Sequence, residues 1–199
     1  QAKTLQGAGW TLVYDVIDDW SDPALGGDWY RPEIERDLVA SADRIAASAS
    51  DLVERVAAMG SEAVLVPNAV NAAVFGADLP PRPSDLPEAE TIIGYHGSLY
   101  GEWFDWELLR RVANANPGAA VVLIGDDKTP RPVMPSNVHL LGLKPQTDLP
   151  AYVQRFDVGL VPFLVNPTTH AVSPLKAYEY LASGVPIAAP PLRALEGLD

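Results

Sequence analysis

The sequence predicts an α/β protein of two doubly wound parallel-sheet domains. Short apolar runs rich in β-branched residues alternate with amphipathic stretches of about ten residues. Turn residues mark the joints, and the alternation breaks once, at a proline-dense stretch, before restarting. Strands joined by helices of that length form parallel sheets covered on both faces.

The first run, "TLVYDVID" at residues 11–18, reads as a buried strand, with Asp15, Asp18, Asp19 and Asp22 clustered around its polar end. From Pro32 to Ala42, Ile34, Leu38 and Val39 follow helical spacing, with Glu33 and Glu35 in the first turn, where the helix dipole favours anions. "RIAAS" is the next strand. Ser50 reads as the N-cap of a helix over "DLVERVAAM", which Gly60 closes, and "AVLVPNAV" follows as a strand. Residues 76–90 contain Pro80, Pro81, Pro83 and Pro87 without periodicity, which predicts a semi-rigid linker between domains at 1–80 and 90–199.

Beyond the linker come the strand "TIIGYHGSL", the helix "DWELLRRVANANP", and the strands "AAVVLIGD" and "NVHLLG". The helix "DLPAYVQRF" and the strand "DVGLVPF" follow, then a helix opened by "SPLKAYEYLASG" and the strand "VPIAAP". Ligands of such sheets bind beyond the carboxyl ends of the strands. "HGSLYGEW", "GDDKTP", "GLKPQTD" and "LVNPTTHAVSP" therefore share one rim.

Composition narrows the function. At 199 residues with 48% hydrophobic and 20% charged residues, the chain is globular and large enough for real cores. A net charge of −12 without a basic stripe argues against nucleic-acid binding, although a small cation cluster can still hold one diphosphate. The absence of cysteine excludes disulfides, thiolate metal sites and a cysteine nucleophile, and fits a cytoplasmic setting. No apolar run is long enough to span a bilayer, which leaves peripheral membrane contact open.

On the rim, Ser173 reads as an N-cap and Pro174 as the first helical residue, so that backbone N–H groups face outward as an anion site. The helical wheel places Leu175, Tyr178, Leu181 and Ala182 on the buried side, with Lys176 and Glu179 on another. A cation near the helix start and a carboxylate one turn deeper suit a nucleotide diphosphate. An ordinary amphipathic helix with a Lys–Glu pair explains the same pattern. Gly97 and Gly101 permit close backbone approach or merely a turn. Carboxylates at the first strand end suit a general base, a metal or a solvated turn. Trp20 and Trp29 could stack on a sugar ring or simply pack down. His96, His139 and His170 lack metal-ligand spacing, and His170 stands out for its place in the loop before the Ser173 helix.

"SPLKAYEYLASGVPI" resembles the "SPLKLFEYLAAGKPVV" signature of group 1, family 4-like retaining glycosyltransferases. "VYDVIDDW", "VLVPNAVNAAVF", "IGYHGSLYGEWFDWELL" and "HLLGLKPQTDLPAYVQRFDVGLVPF" agree in order. The resemblance implies the GT-B fold, two Rossmann-like domains both incomplete in this chain: the later part of the acceptor-side domain, then most of the donor-side domain. It implies transfer of a sugar, with retention, from a nucleotide-diphosphate sugar to the hydroxyl of a sugar or lipid-linked acceptor in polysaccharide biosynthesis. No metal or other cofactor is implied. By position, Glu179 matches the second Glu of the family's E-x7-E motif, which binds the donor ribose; the first falls at Ala171. Ser173, Pro174, Leu175 and Lys176 match the stretch facing the diphosphate, and Gly97 and Ser98 the loop that admits it. The family's basic pair is not evident at its expected place, with Lys128 or Lys144 as the candidate substitute, and Asp18 or Asp19 occupies roughly the strand end where relatives place a catalytic His or Asp. "VPNAVN" departs from the usual "VPNGVD" at Ala69 and Asn71. A nucleotide-sugar epimerase of similar fold and a non-catalytic nucleotide-sugar-binding protein are the alternatives.

Overall fold

A computed structural model describes the chain except for residues 1, 24, 77, 102, 127–130 and 199. It divides into two compact units. One comprises Gln1–Asn68, Asn166–Ser173 and Leu192–Asp199, the other Ala69–Val165 and Pro174–Pro191.

The first unit runs α1 (Ala2–Gly7), β1 (Val13–Val16), α2 (Pro32–Ser41), β2 (Arg44–Ala47), α3 (Ser50–Ala58) and β3 (Val64–Leu65). Its strands pair in parallel in the order β1-β2-β3. Val16, Val39, Ile45, Leu52 and Val56 form the core. Leu52 and Val56 lie four residues apart, on one face of α3. Three expectations need correction. Among the described residues β1 stands at the edge of its sheet and is only half-buried, with Val13 and Asp15 exposed. Ser50 is the first helical residue of α3, after Ala49, and no side chain caps that helix. The strand expected over "AVLVPNAV" pairs with β2 only at Val64 and Leu65, against Ala46 and Ala47.

The second unit continues with α4 (Ala72–Phe75), β4 (Ile92–His96), α5 (Trp106–Ala115), β5 (Ala120–Ile124), β6 (Val138–Gly142), α6 (Leu149–Val153) and β7 (Val158–Leu160). α7 (Pro167–His170) goes with the first unit; α8 (Leu175–Ala182) and β8 (Ile187–Ala188) complete the second. The five strands are parallel in the order β6-β5-β4-β7-β8. The chain winds outward from β4 through β5 to β6, then returns to the other side of β4. This reversal makes the carboxyl ends of β4 and β7 the topological switch point, where doubly wound sheets open a crevice for ligands. Both β4 and β5 are buried along their whole length, as a central pair in a parallel sheet requires. Gly94 and Gly159 let Phe156 and Tyr180 lie against the strands, since a Cβ on either would meet those rings at 2.2 and 2.5 Å.

The division between units falls at residues 68 and 69, ahead of the proline-dense stretch. Phe75 is buried, and its carbonyl accepts from Gln154 Nε2 at 2.8 Å and Ser183 Oγ at 3.1 Å. Asp85, within the stretch, accepts from Lys144 Nζ at 2.6 Å and from the Tyr152 hydroxyl at 2.7 Å, and Leu86 is buried. The prolines thus line a segment packed onto the second unit rather than a bare connector.

Candidate functional site

α8 follows the switch point, but it begins one residue later than its sequence suggests. Leu175 is the first helical residue and Pro174 the cap, with no side chain capping the helix. Ser173 is buried in the first unit, where its carbonyl accepts from Asn68 Nδ2 at 2.7 Å, and so it is not the N-cap. The buried side of α8 also differs from the wheel. Ala177, Glu179 and Tyr180 are buried, while Leu175 and Leu181 are exposed. Tyr180 sets this rotation: its ring fills the space over Gly159, and its hydroxyl accepts from His96 N and donates to Leu160 O, both at 3.3 Å. Turning Tyr180 onto the sheet brings Glu179 in beside it.

The loop after β4 is pinned to β5. Gly97 N–H donates to Ile124 O at 2.9 Å, and the Tyr95 hydroxyl donates to Ser98 O at 2.9 Å. Gly97 has φ +135°, and a Cβ there would lie 3.1 Å from Lys176 Cε. Its contribution is therefore space beside Lys176, since its N–H is already engaged. Lys176 Nζ sits 4.6 Å from the centre of the Phe163 ring and 5.4 Å from that of Tyr95. Burial pulls its pKa down to about 8, against the attraction of Glu179.

Glu179 is 5% exposed, and burial pushes its pKa up to about 7 although Lys176 opposes the shift. Together with Leu175, Phe75, Val70, Gln146 and Thr147 it lines a hollow of about 220 Å³. His96 Nε2 lies 3.3 Å from Glu179 Oε2 but is not aligned as a hydrogen bond, and this buried nitrogen has no partner among the described residues. The helix start, a cation, a carboxylate and an apolar-floored hollow thus meet at one end of the sheet. Gly97, Ser98, Pro174, Leu175, Lys176 and Glu179 all belong to this unit. Lys144 pairs with Asp85 at 2.6 Å, so its charge is already compensated, and Lys128 lies outside the described residues.

Asp18, Asp19 and Ser173 belong to the first unit. The two carboxylates have different environments. Asp19 Oδ1 pairs with Arg55 Nε at 2.9 Å and accepts from Ser21 N at 3.0 Å. Asp18 has no carboxylate partner among the described residues, and burial pushes its pKa up. Arg55 also grips the buried Glu35, Nη1 to Oε1 at 2.7 Å and Nη2 to Oε2 at 2.5 Å, with the Tyr14 and Tyr30 hydroxyls donating to the same carboxylate. Burial alone would raise the Glu35 pKa; the Arg55 and tyrosine hydrogen bonds outweigh it and hold the pKa low. Glu35, placed by sequence in a helix-dipole position, is thus the centre of a buried ion pair. Trp20 and Trp29 contact each other at 5.3 Å and line a hollow of about 190 Å³ with Tyr14 and Tyr30. A larger hollow of about 520 Å³ includes Arg44 and Ile45, at the amino end of β2, opposite the carboxyl-end rim.

Sequence reasoning missed His96. It singled out His170, whose Nδ1 accepts from Arg193 N at 3.4 Å in the first unit. The available signal was position, because His96 ends the central strand immediately before the glycine loop.

The two parallel sheets match the α/β fold of GT-B-type proteins. Among solved structures, the chain is similar to sucrose-phosphate synthase from Thermosynechococcus elongatus, with a TM-score of 0.67 and 18% identity over 97% of this chain and 54% of that one. Anabaena HepE, solved in complex with UDP-glucose, matches with a TM-score of 0.67 and 17% identity, covering 100% of this chain and 58% of HepE. By sequence the chain is 29% identical over 197 residues to TuaH of Bacillus subtilis (strain 168), named "Putative teichuronic acid biosynthesis glycosyltransferase", covering 88% of this chain and 49% of TuaH. No protein-family model matches. The chain spans about half the length of the relatives it matches.

Proposed function

We propose that the chain is the donor-binding part, with a portion of the acceptor side, of a group 1 glycosyltransferase. The reaction is nucleotide-diphosphate sugar plus acceptor hydroxyl giving glycoside plus nucleoside diphosphate, with retention at the anomeric carbon. The observation that carries this reading is a buried Glu179 one turn after Lys176 on α8, each shifting the other's ionisation, beside the switch point of a GT-B-type sheet. The name of TuaH and the UDP-glucose complex of HepE support it.

In this reading Glu179 accepts hydrogen bonds from both ribose hydroxyls, which only an ionised carboxylate can do with two oxygens at once. Lys176 and the uncapped start of α8, opened by Pro174 and Leu175, face the diphosphate. Ser173 stands just ahead of them, and the turn at Gly97 and Ser98 admits the phosphates beside Lys176. Negative charge gathers on the departing diphosphate as the glycosidic bond breaks, and groups fixed before that moment lower the barrier most. No metal is needed for that role. Of the two aspartates, Asp18 is the one assigned to the acceptor hydroxyl, because Asp19 is committed to Arg55. The transferred sugar is a hexose or a relative, and the acceptor a sugar or lipid-linked saccharide of a polysaccharide pathway. The setting is the cytoplasm with peripheral membrane contact; no helix among the described residues is long and apolar enough to cross a membrane.

The test is turnover by the full-length protein with UDP-, GDP- and dTDP-sugars and saccharide acceptors. Nucleoside diphosphate release should depend on acceptor, and proton NMR coupling at the new anomeric centre should match the donor. An altered free sugar formed without acceptor would identify an epimerase, and donor binding without turnover a binding protein; either overturns the transferase reading.

A further inference from the structure

The buried Nε2 of His96 has no hydrogen-bond partner among the described residues. The ring is held edge-on to Tyr180, centroids 5.2 Å apart and planes at 89°, and the backbone N–H is tied to the Tyr180 hydroxyl. A ring held this firmly points Nε2 at a fixed place, and that place is 3.3 Å from Glu179 Oε2. An orphan nitrogen at such a site is costly unless a ligand-bound state uses it.

Resting on the donor-site reading, we propose that His96 is the positioning residue of the nucleotide site: when ribose hydroxyls engage Glu179, His96 Nε2–H donates to Oε2 and fixes the carboxylate. Nothing is transferred in this step; a small turn of the carboxylate aligns a contact that already exists in distance. The charge states permit it. Burial, helped by Lys176, pulls the His96 pKa down to about 3, so the ring is neutral at neutral pH and keeps one N–H. The titratable groups around the pair are Lys176 and Tyr180 on α8 and Tyr95 on β4, and both phenols are pushed up by burial and stay neutral. Lys176 is therefore the sole charged neighbour of Glu179 among the described residues close to it. In such a setting, a donor on Oε2 favours the ionised form that two hydroxyl hydrogen bonds require.

Isothermal titration of the full-length protein with UDP-, GDP- and dTDP-sugars from pH 6 to pH 8.5 tests this, comparing the unsubstituted protein with His96→Gln, His96→Phe and Glu179→Ala. A hydrogen bond to a charged group implies that His96→Phe weakens binding roughly tenfold or more. It should also move the pH at which binding is half lost upward, because the carboxylate then protonates more readily. His96→Gln keeps an N–H within reach and should recover most of the affinity and the original pH midpoint. In the unsubstituted protein, nucleotide addition should shift the His96 imidazole ¹⁵N resonance, a reading independent of whether the variants fold. Binding that needs Glu179 yet ignores His96→Phe, or a ¹⁵N signal indifferent to nucleotide, overturns the His96 proposal alone. No binding by the unsubstituted protein, or equal binding by Glu179→Ala, overturns the donor-site reading and this proposal with it.

Discussion

Glu179→Gln should make the ligand-free protein more stable while removing its response to nucleotide. Folding displaces the Glu179 ionisation from about 4.5 to about 7, so the folded state holds this proton more tightly than the unfolded chain. The stability that goes with the bound proton is fully present below pH 4.5 and is lost as the pH rises through 7. Above both values the ionised carboxylate costs the folded protein on the order of 3 kcal/mol. Glutamine has the same shape and no charge, so it escapes that cost, which is already net of the attraction of Lys176, but its buried amide must be desolvated in turn. With roughly half of the cost recovered, and about 2–4 °C per kcal/mol for a chain of this size, the melting temperature at pH 8 should rise by roughly 3–6 °C. At pH 4.5 the two proteins should melt nearly together, since both are then neutral at this position. Nucleotide sugar at a hundred times its Kd should stabilise the unsubstituted protein by about 2.7 kcal/mol and the variant by far less. Differential scanning fluorimetry at the two pH values, with and without nucleotide sugar, reads all of this. A variant that melts lower at pH 8, or a difference that persists unchanged at pH 4.5, would falsify the assignment of Glu179 as a strained binding group.

Gly97→Ala should lower stability by roughly 1–3 kcal/mol, because φ +135° is unfavourable for alanine, and should weaken nucleotide binding by crowding Lys176 Cε; thermal melts and titration calorimetry read the two effects. Arg55→Met strands Glu35 as a buried, uncompensated carboxylate, so a loss of roughly 3 kcal/mol is expected in urea unfolding at pH 7. That loss should shrink as the pH falls and Glu35 becomes neutral. Asp18→Asn should reduce kcat with little change in melting temperature, whereas Asp19→Asn should mainly lower the melting temperature by weakening the hold on Arg55. The opposite pattern in steady-state kinetics and melts would reassign the acceptor-side carboxylate.

Much of the architecture was legible in the sequence because strands and helices of a parallel sheet carry their own periodicity. β4 and β5 read as continuous apolar runs, and α5 (Trp106–Ala115) falls within the stretch read as a helix. What failed was anything decided by a distant partner. The buried face of α8 follows from Tyr180 meeting Gly159, and a helical wheel has no knowledge of the strand beneath. The proline-dense stretch looked like a connector because nothing local shows that Asp85 will find Lys144 and Tyr152. Glu35 looked like a helix-dipole residue because its partner, Arg55, lies 20 positions away on α3. At the candidate site, Lys176 and Glu179 could be named from spacing and resemblance, but His96 could not. Its interest lies in an unmet hydrogen bond, and that is a property of three-dimensional surroundings.

The central claim is that the second unit holds a nucleotide sugar through Glu179. Isothermal titration of the full-length protein with UDP-, GDP- and dTDP-sugars, repeated on Glu179→Ala, tests it most directly. The account predicts one site per chain for at least one of these donors, with affinity lost in the variant. Heat from none of them, or an isotherm the variant reproduces, would contradict it.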